Sequence, residues 1–201
     1  RRQRQMCIRD RLTDDKAVKD IIRSKTFLNN VCKQTTVIDM SSTKPSTALD
    51  NYKTLKKRGV YFLDAPVSGG TKGAESASLA IMVGGEKKIY KKNLKVLKML
   101  GIPNYVGKPS SGQAAKLANQ IIVGITIGAV SEAIILSKKL GLKPTNVLKA
   151  LKGGWADSKI LQTHGLRMIK EDFKARGKVA SQLKDMENIL NTAKTVSYTH
   201  L

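Results

Sequence analysis

The sequence predicts an α/β part followed by an all-helical part. Between Thr35 and Val106, short apolar runs alternate with amphipathic helical patterns, which is typical of a layered sheet with much parallel pairing. After the turn-rich segment 107–112, only helical patterns follow. The 201 residues are 41% hydrophobic with a mean hydropathy of −0.25, so the chain can bury a sizeable core.

The α/β part is predicted to contain four strands and two helices. The first helix runs from Pro45 to about Arg58, because proline suits the first turn of a helix and a glycine follows the end. The second, lysine-rich helix lies between the Gly84-Gly85 pair and Gly101, and a glycine-rich loop is expected over residues 65–78. The predicted strands are Thr35–Met40, Val60–Asp64, Leu79–Val83 and a brief one around Asn104–Val106.

The helical part begins with an unusually long helix. The predicted helices cover about residues 112–140, 144–152, 156–170 and 179–194, so a domain boundary is placed near residue 110. The stretch Leu117–Leu136 reaches membrane-spanning length, but it contains amides and Glu132, which hydrocarbon would strongly disfavour. We therefore expect a helix buried inside the protein and no membrane contact.

The net charge of +22 is the one unusual feature of the composition. Residues 1–11 have no periodicity and, like residues 196–201, are interpreted as a non-native end; without their five arginines and one aspartate the charge is +18. The lysines of the second helix surround an apolar stripe of Tyr90, Leu94 and Leu97, as on a solvated helix surface. A basic module that binds nucleic acid or an acidic surface remains the alternative. The two cysteines fit a reducing compartment, and a cytoplasmic location is expected.

Two segments carry possible chemistry. Ser68, Gly69 and Gly70 follow a strand, where ligand crevices form in α/β folds, and their hydroxyl and amide groups suit a carboxylate. Lys116 lies one turn into the long helix, near the predicted domain boundary, where it is a candidate general acid or base. The spacing alone equally fits a snorkelling lysine, whose stem packs on apolar surface while its ammonium group reaches water. With only two histidines and no clustered ligands, no metal site is predicted. Asp39 is rejected as a ribose ligand because no G-x-G-x-x-G precedes it.

These segments together resemble the β-hydroxyacid dehydrogenase family, of the 3-hydroxyisobutyrate dehydrogenase and 2-hydroxy-3-oxopropionate reductase type, with 6-phosphogluconate dehydrogenase as a larger relative. The resemblance runs from about Leu12 to Thr195. It is carried by the motifs Val37-Ile-Asp-Met-Ser-Ser42, Asp64-Ala-Pro-Val-Ser-Gly-Gly70, Ile81-Met-Val-Gly-Gly85 and Gly112-Gln-Ala-Ala-Lys-Leu-Ala-Asn119.

The resemblance implies a partial Rossmann-type NAD(P)-binding domain over 12–110, a partial all-α domain over 111–195, and a long helix that joins them. It implies hydride transfer between NAD or NADP and a small β-hydroxyacid of the 3-hydroxyisobutyrate or tartronate semialdehyde type, by a homo-oligomer when the protein is full length. The resemblance implies that Lys116 is the catalytic residue. It implies substrate binding by Ser68, Gly69, Gly70 and Gln120, and cofactor binding by Ser42, Lys184 and Asp185.

The sequence departs from the family pattern in three places. The N-terminal G-x-G-x-x-G half is absent, so this chain alone is expected to be an inactive fragment. Gln120 stands where asparagine is usual, which keeps the amide but moves it outward by one methylene. Gly177 stands where relatives carry phenylalanine near the active site, so the sequence does not determine the substrate specificity.

Overall fold

The computed structural model describes residue 12 and residues 14–174 and 176–198, which form two compact units. The α/β unit contains the described residues up to Leu117 together with those from Glu187 onward, and the helical unit is Ala118–Met186. Residues 1–11, interpreted above as a non-native end, lie outside the described residues, as do the last three of 196–201.

The α/β unit alternates helices and strands, as predicted. Its strands are β1 (Thr36–Asp39), β2 (Tyr61–Asp64), β3 (Val67–Ser68), β4 (Leu79–Gly85) and β5 (Gly101–Gly107). Its helices are α1 (Asp15–Ile22), α2 (Lys25–Asn30), α3 (Pro45–Lys56), α4 (Gly70–Glu75) and α5 (Lys87–Lys98). The predicted α/β class is confirmed.

The five strands form one mixed sheet. Strands β1 and β2 pair in parallel, with Asp39 opposite Asp64, and β4 and β5 also pair in parallel. Strand β4 pairs antiparallel with both β2 and β3. The sequence predicts much parallel pairing, and two of these four pairings are parallel. The register of β1 and β2 places two carboxylates side by side where both strands end.

Three local predictions differ from the structure. The expected loop over 65–78 contains β3 and α4, because Val67 and Ser68 find partners on β4, which a local reading of glycines does not show. Gly84 and Gly85 end β4 rather than opening a helix, and β5 is longer than the brief strand expected. Helices α1 and α2, each capped by a side chain at its start, were not predicted.

Among the described residues, two clusters of buried apolar side chains form much of the core of the α/β unit. The first contains Leu63, Ala65, Val67, Leu79, Ile81, Val83, Ile89 and Leu97. The second contains Val18, Ile22, Ala48, Leu55, Val60 and Phe62. On α5 the six lysines are exposed while Ile89 and Leu97 are buried, which confirms the predicted solvated lysine surface.

The first helix of the helical unit is α6 (Ser111–Lys139), whose residues up to Leu117 belong to the α/β unit. The unit continues through α7 (Pro144–Leu151), a π-helical turn at Leu161–Gly165 and α8 (Leu166–Ile169), and α9 (Val179–Thr195) starts in it. The expected helix over 156–170 starts later, because the Asp157 carboxylate accepts hydrogen bonds from the Gly153 N–H and the Gln162 amide in a turn.

Helix α6 is, among the described residues, the one helix long and apolar enough to cross a membrane by length and composition, a test that core helices of soluble proteins also pass. Val130, Ile134 and Ser137 are buried, whereas Ile122 and Ile125 are each 66% exposed. The predicted burial is therefore confirmed for one stripe of this helix and wrong for the rest, because neighbouring elements cover only that stripe.

Candidate active site

The side chain of Lys116 reaches the predicted substrate loop. Lys116 lies in the second turn of α6 and is 7% exposed, and its Nζ donates a hydrogen bond of 3.0 Å to the Val67 carbonyl oxygen. Val67 directly precedes Ser68, so the ammonium group and the loop belong to one local arrangement within the α/β unit. The structure thereby brings together two segments that the sequence separates by almost fifty residues.

The loop itself turns sharply after Ser68. Ser68 is half-buried at the end of β3, and Gly69 and Gly70 are exposed with φ angles of +139° and +63°. Residues with a Cβ rarely adopt these conformations, which explains why the turn uses two glycines. A hydroxyl and two backbone amides close to a lysine form a donor set suited to a carboxylate.

Ser42, the predicted cofactor residue, lies in the turn between β1 and α3. Its neighbours Ser41 and Thr43 are buried, at 2% and 1% exposure. The Asp39 Oδ1 atom accepts a hydrogen bond from the Ser41 N–H at 2.9 Å, and burial raises the pKa of this carboxyl. The turn is therefore held from its own strand end, with Ser42 itself half-buried.

Two polar residues that the sequence reasoning did not select, Asp64 and Gln113, are 0% exposed in this region. Asp64 Oδ1 accepts from the Ser110 N–H and Oδ2 from the Gln113 N–H, both at 2.9 Å. Burial raises the Asp64 pKa to about 6, although these backbone hydrogen bonds oppose the shift and the Asp39 carboxylate adds to it. A polar residue at the end of an apolar strand was the signal that would have pointed to Asp64.

Glycines make room for the Asp64 carboxylate. A Cβ atom on Gly84 would lie 2.6 Å from Asp64 Oδ1, and one on Gly112 would lie 2.9 Å from Oδ2. Close approach of the backbone, rather than turn formation, therefore explains these two glycines of the motifs that carry the family resemblance.

The remaining predicted residues form a polar cluster in the helical unit. Gln120 and Asp185 are 8% and 7% exposed, and Gln120 Nε2 donates to Asp185 Oδ2 at 2.6 Å. Lys184 Nζ lies 3.2 Å from Asp185 Oδ1, so the predicted Lys-Asp pair is an ion pair. Gln182 Oε1 also accepts from Gln120 Nε2, at 3.2 Å.

The predicted site residues thus fall into one group in each unit. Ser42, the loop Ser68–Gly70 and Lys116 belong to the α/β unit, whereas Gln120 and the Lys184-Asp185 pair belong to the helical unit. Gly177 is also in the helical unit and is exposed, with open space around it. Within the described part of the chain, no three histidine, cysteine or carboxylate side chains cluster as metal ligands would.

Comparison with known proteins identifies the family. Residues 6–137 match the model of the NAD-binding domain of 6-phosphogluconate dehydrogenase. Residues 110–200 match the model described as "NAD-binding of NADP-dependent 3-hydroxyisobutyrate dehydrogenase". The chain belongs to the β-hydroxyacid dehydrogenase family. The resemblance drawn from the four sequence motifs is confirmed.

Members of the β-hydroxyacid dehydrogenase family are similar over most of this chain. The 2-hydroxy-3-oxopropionate reductase of Escherichia coli K12 is 42% identical over 82% of the chain and 57% of its own length. A probable mitochondrial 3-hydroxyisobutyrate dehydrogenase-like protein of Arabidopsis thaliana is 38% identical over 74% of the chain and 50% of its own length. The chain therefore spans about half the length of these relatives.

Solved structures of family members share the fold. The 3-hydroxyisobutyrate dehydrogenase of Mycobacterium tuberculosis, solved with L-serine, aligns with a TM-score of 0.84 and 27% identity, over 94% of this chain and 67% of that one. The enzyme from Salmonella typhimurium aligns with a TM-score of 0.82 at 20% identity, over 94% and 66%. The predicted fold class, a Rossmann-type sheet followed by a long helix and helical elements, is confirmed.

Proposed function

We propose that the protein to which this chain belongs transfers a hydride between NAD(P) and a small β-hydroxyacid, with Lys116 as general acid and base. The observation that carries the proposal is the position of the Lys116 ammonium, buried and 3.0 Å from the carbonyl oxygen next to Ser68. A buried lysine beside a carboxylate-binding loop is placed to exchange a proton with the hydroxyl of a hydroxyacid.

The chemistry proposed for Lys116 uses both protonation states of its side-chain amine. During oxidation the Lys116 amine takes the proton of the substrate hydroxyl, while a hydride leaves the carbon atom that bears this hydroxyl. During reduction its ammonium gives the proton to the oxygen that becomes an alkoxide. The Val67 carbonyl accepts one N–H of the ammonium group and so fixes the direction of Nζ. The dinucleotide, when bound, accepts or supplies the hydride.

The substrate carboxylate is assigned to the loop Ser68–Gly70, with Gln120 as a further substrate ligand. A hydroxyl and two amides recognise a carboxylate without a second positive charge, so Lys116 remains available for the proton. The names of the relatives support a substrate of the 3-hydroxyisobutyrate or tartronate semialdehyde type. We also propose a homo-oligomeric, cytoplasmic protein.

The residues at the end of β1 fit a polar part of the cofactor. In α/β sheets ligands bind at the carboxyl ends of the strands, where the turn with Ser42 lies. Two buried atoms there, Asp39 Oδ2 and Thr43 Oγ1, have no hydrogen-bond partner among the described residues. Such atoms suit a bound polar group. Ser42, with Lys184 and Asp185, is assigned to cofactor binding.

Replacing Lys116 by methionine in the full-length protein tests this function. Turnover of 3-hydroxyisobutyrate and of glycerate, followed by nicotinamide absorbance, is expected to fall by about 10²- to 10⁴-fold, because the general acid and base is lost. The affinity for the dinucleotide, measured by its fluorescence, is expected to stay within a few-fold.

The matched control is Lys95→Met, which removes an exposed lysine of α5 in the same unit and is expected to leave turnover unchanged. If Lys116→Met turned over its substrate at the wild-type rate, the role of Lys116 would be refuted.

A further inference from the structure

The side chain of Gln113 joins the start of α6 to the turn that carries Ser42. Its Oε1 accepts from the Thr43 N–H at 3.0 Å, and its Nε2 donates to the Ser41 carbonyl oxygen at 2.8 Å. The residue is 0% exposed, so water cannot replace either hydrogen bond. One amide thus holds the backbone on both sides of Ser42.

The backbone of the same residue is held from the opposite direction. The Gln113 N–H donates to Asp64 Oδ2, and Asp64 Oδ1 accepts from the Ser110 N–H. Asp64 ends β2 and immediately precedes the segment 65–70 that contains the substrate loop. The first turn of α6 is therefore tied to the strand end that carries this loop as well as to the turn after β1.

Lys116 follows Gln113 by three residues on α6, about one helical turn. Its Nζ is bonded to Val67, and its backbone belongs to the helix that Gln113 and Asp64 anchor. Three segments that would touch cofactor, substrate and the transferred proton are thus connected by one buried amide and one buried carboxylate, all inside the α/β unit.

We propose that Gln113 is a positioning residue for the reaction: it sets the Ser42 turn against the helix that carries Lys116. The inference rests on the proposed function. An amide at the end of a two-methylene side chain supplies an acceptor for Thr43 and a donor for Ser41 together, whatever the pH. Ionised glutamate would place an acceptor against the Ser41 carbonyl oxygen, and methionine would satisfy neither group.

The test compares Gln113→Met and Gln113→Glu in the full-length protein, each with saturating hydroxyacid and dinucleotide. Gln113→Met is expected to lower kcat by about 10- to 100-fold, because misplacement by about an ångström costs that much in rate. The pH profile of kcat should keep its wild-type midpoint, since Lys116 and its hydrogen bond to the Val67 carbonyl oxygen remain.

Gln113→Glu gives a result that a merely structural role would not. A protonated carboxyl has one O–H donor and one carbonyl acceptor, so it reproduces the amide pattern toward Ser41 and Thr43. Burial and the neighbouring Asp64 carboxylate favour the protonated form. The ratio of the variant kcat to the wild-type kcat is therefore expected to rise at least fivefold as the pH falls from 8 to 5.5.

Amide hydrogen exchange provides a readout without turnover. In Gln113→Met, exchange of the Thr43 N–H is expected to accelerate at least tenfold, while exchange within β4 and β5 stays unchanged. The matched control is Asn51→Leu, which replaces another fully buried amide of this unit whose Oδ1 accepts from Arg23 instead. This control is expected to leave the Thr43 exchange rate and kcat unchanged.

Two results would overturn the inference, and they differ from each other. If wild-type protein turns over hydroxyacid and Gln113→Met has an unchanged kcat, the positioning role alone is refuted. A wild-type protein that turns over neither hydroxyacid refutes the proposed function, and the inference is refuted with it.

Discussion

The two units of this molecule hold their polar residues in very different surroundings. In the α/β unit, Asp64 and Gln113 are fully buried next to two apolar clusters. Among the described residues of the helical unit, one apolar cluster has three buried members, and Trp155 and Phe173 are 107% and 77% exposed. The α/β unit therefore holds Ser42, the loop Ser68–Gly70 and Lys116 in a densely packed frame. The helical unit holds Gln120, Lys184 and Asp185 mainly through polar contacts.

This difference also determines what a substitution does. A group in a dense core cannot move to fill a gap or recover a lost hydrogen bond, so its removal is felt in full. A group with exposed neighbours allows them to relax into the space. Three measurements on the chain test this comparison.

The largest effect is expected from removing equal side chains from the two cores. Leu63→Ala in the α/β unit is expected to lower the opening free energy of that unit by about 4–5 kcal/mol, because Leu63 is 0% exposed in a cluster of eight buried residues. Leu161→Ala, in the cluster of three, is expected to cost about 2–3 kcal/mol, since its surroundings can collapse. Native-state amide hydrogen exchange measures both units separately. Equal losses would contradict the comparison.

The second effect concerns pH and the Asp64 carboxyl. Because burial raises its folded-state pKa from 3.8 to about 6, the folded protein binds a proton more tightly than the unfolded chain does. Its contribution to the free energy of unfolding is therefore fully present below about pH 4 and is lost as the pH rises to about 6, by about 3 kcal/mol.

Asp64→Asn isolates this contribution. The difference in unfolding free energy between wild type and Asp64→Asn, from urea titrations at several pH values, is expected to change across this window and to be constant above it. The helical unit offers the control Asp157→Asn: the pKa of this carboxyl is lowered, first by the hydrogen bond from the Gly153 N–H, so its small contribution should run in the opposite direction. A flat difference curve for Asp64 would show that its carboxyl is not held as described.

The sequence was sufficient to predict several helices whose signals lie within the helix or directly beside it. Proline at the start of α3, the lysine-flanked stripe of α5 and the continuous helical pattern of α6 are local signals, and all three helices lie where they were expected. Helices α1 and α2 were not predicted, although the side chains of Asp14 and Ser24 that cap them are local signals too. Strand β3 was missed because its two residues become a strand only by pairing with β4.

The candidate site was predictable only as separate motifs. Lys116 and Ser68 were selected for their chemistry, but the contact that unites their segments depends on how the sheet and α6 pack. The contacts of Gln113 could not be predicted, because its partners lie 70 and 72 residues away and no local pattern encodes such a pairing. Exposure of Ile122 and Ile125 was likewise unpredictable, because an apolar helix does not reveal which of its faces is covered.

The smallest effect is a gain in stability at a glycine of the helical unit. Gly128 lies inside α6, is exposed, and has no atom within 4 Å of the place a Cβ would take. Gly128→Ala should therefore raise the opening free energy of the helical unit by about 0.5–1 kcal/mol, because alanine loses less backbone entropy in a helix. Gly124→Ala is the matched control on the same helix, where the new methyl would lie 3.2 Å from Met186 Cε. The gain at Gly124 should be smaller, because Met186 must shift. An equal gain at both positions would show that the helical unit is packed more loosely around α6 than the structure describes. A loss of stability at Gly128 would show that this face of the helix is covered.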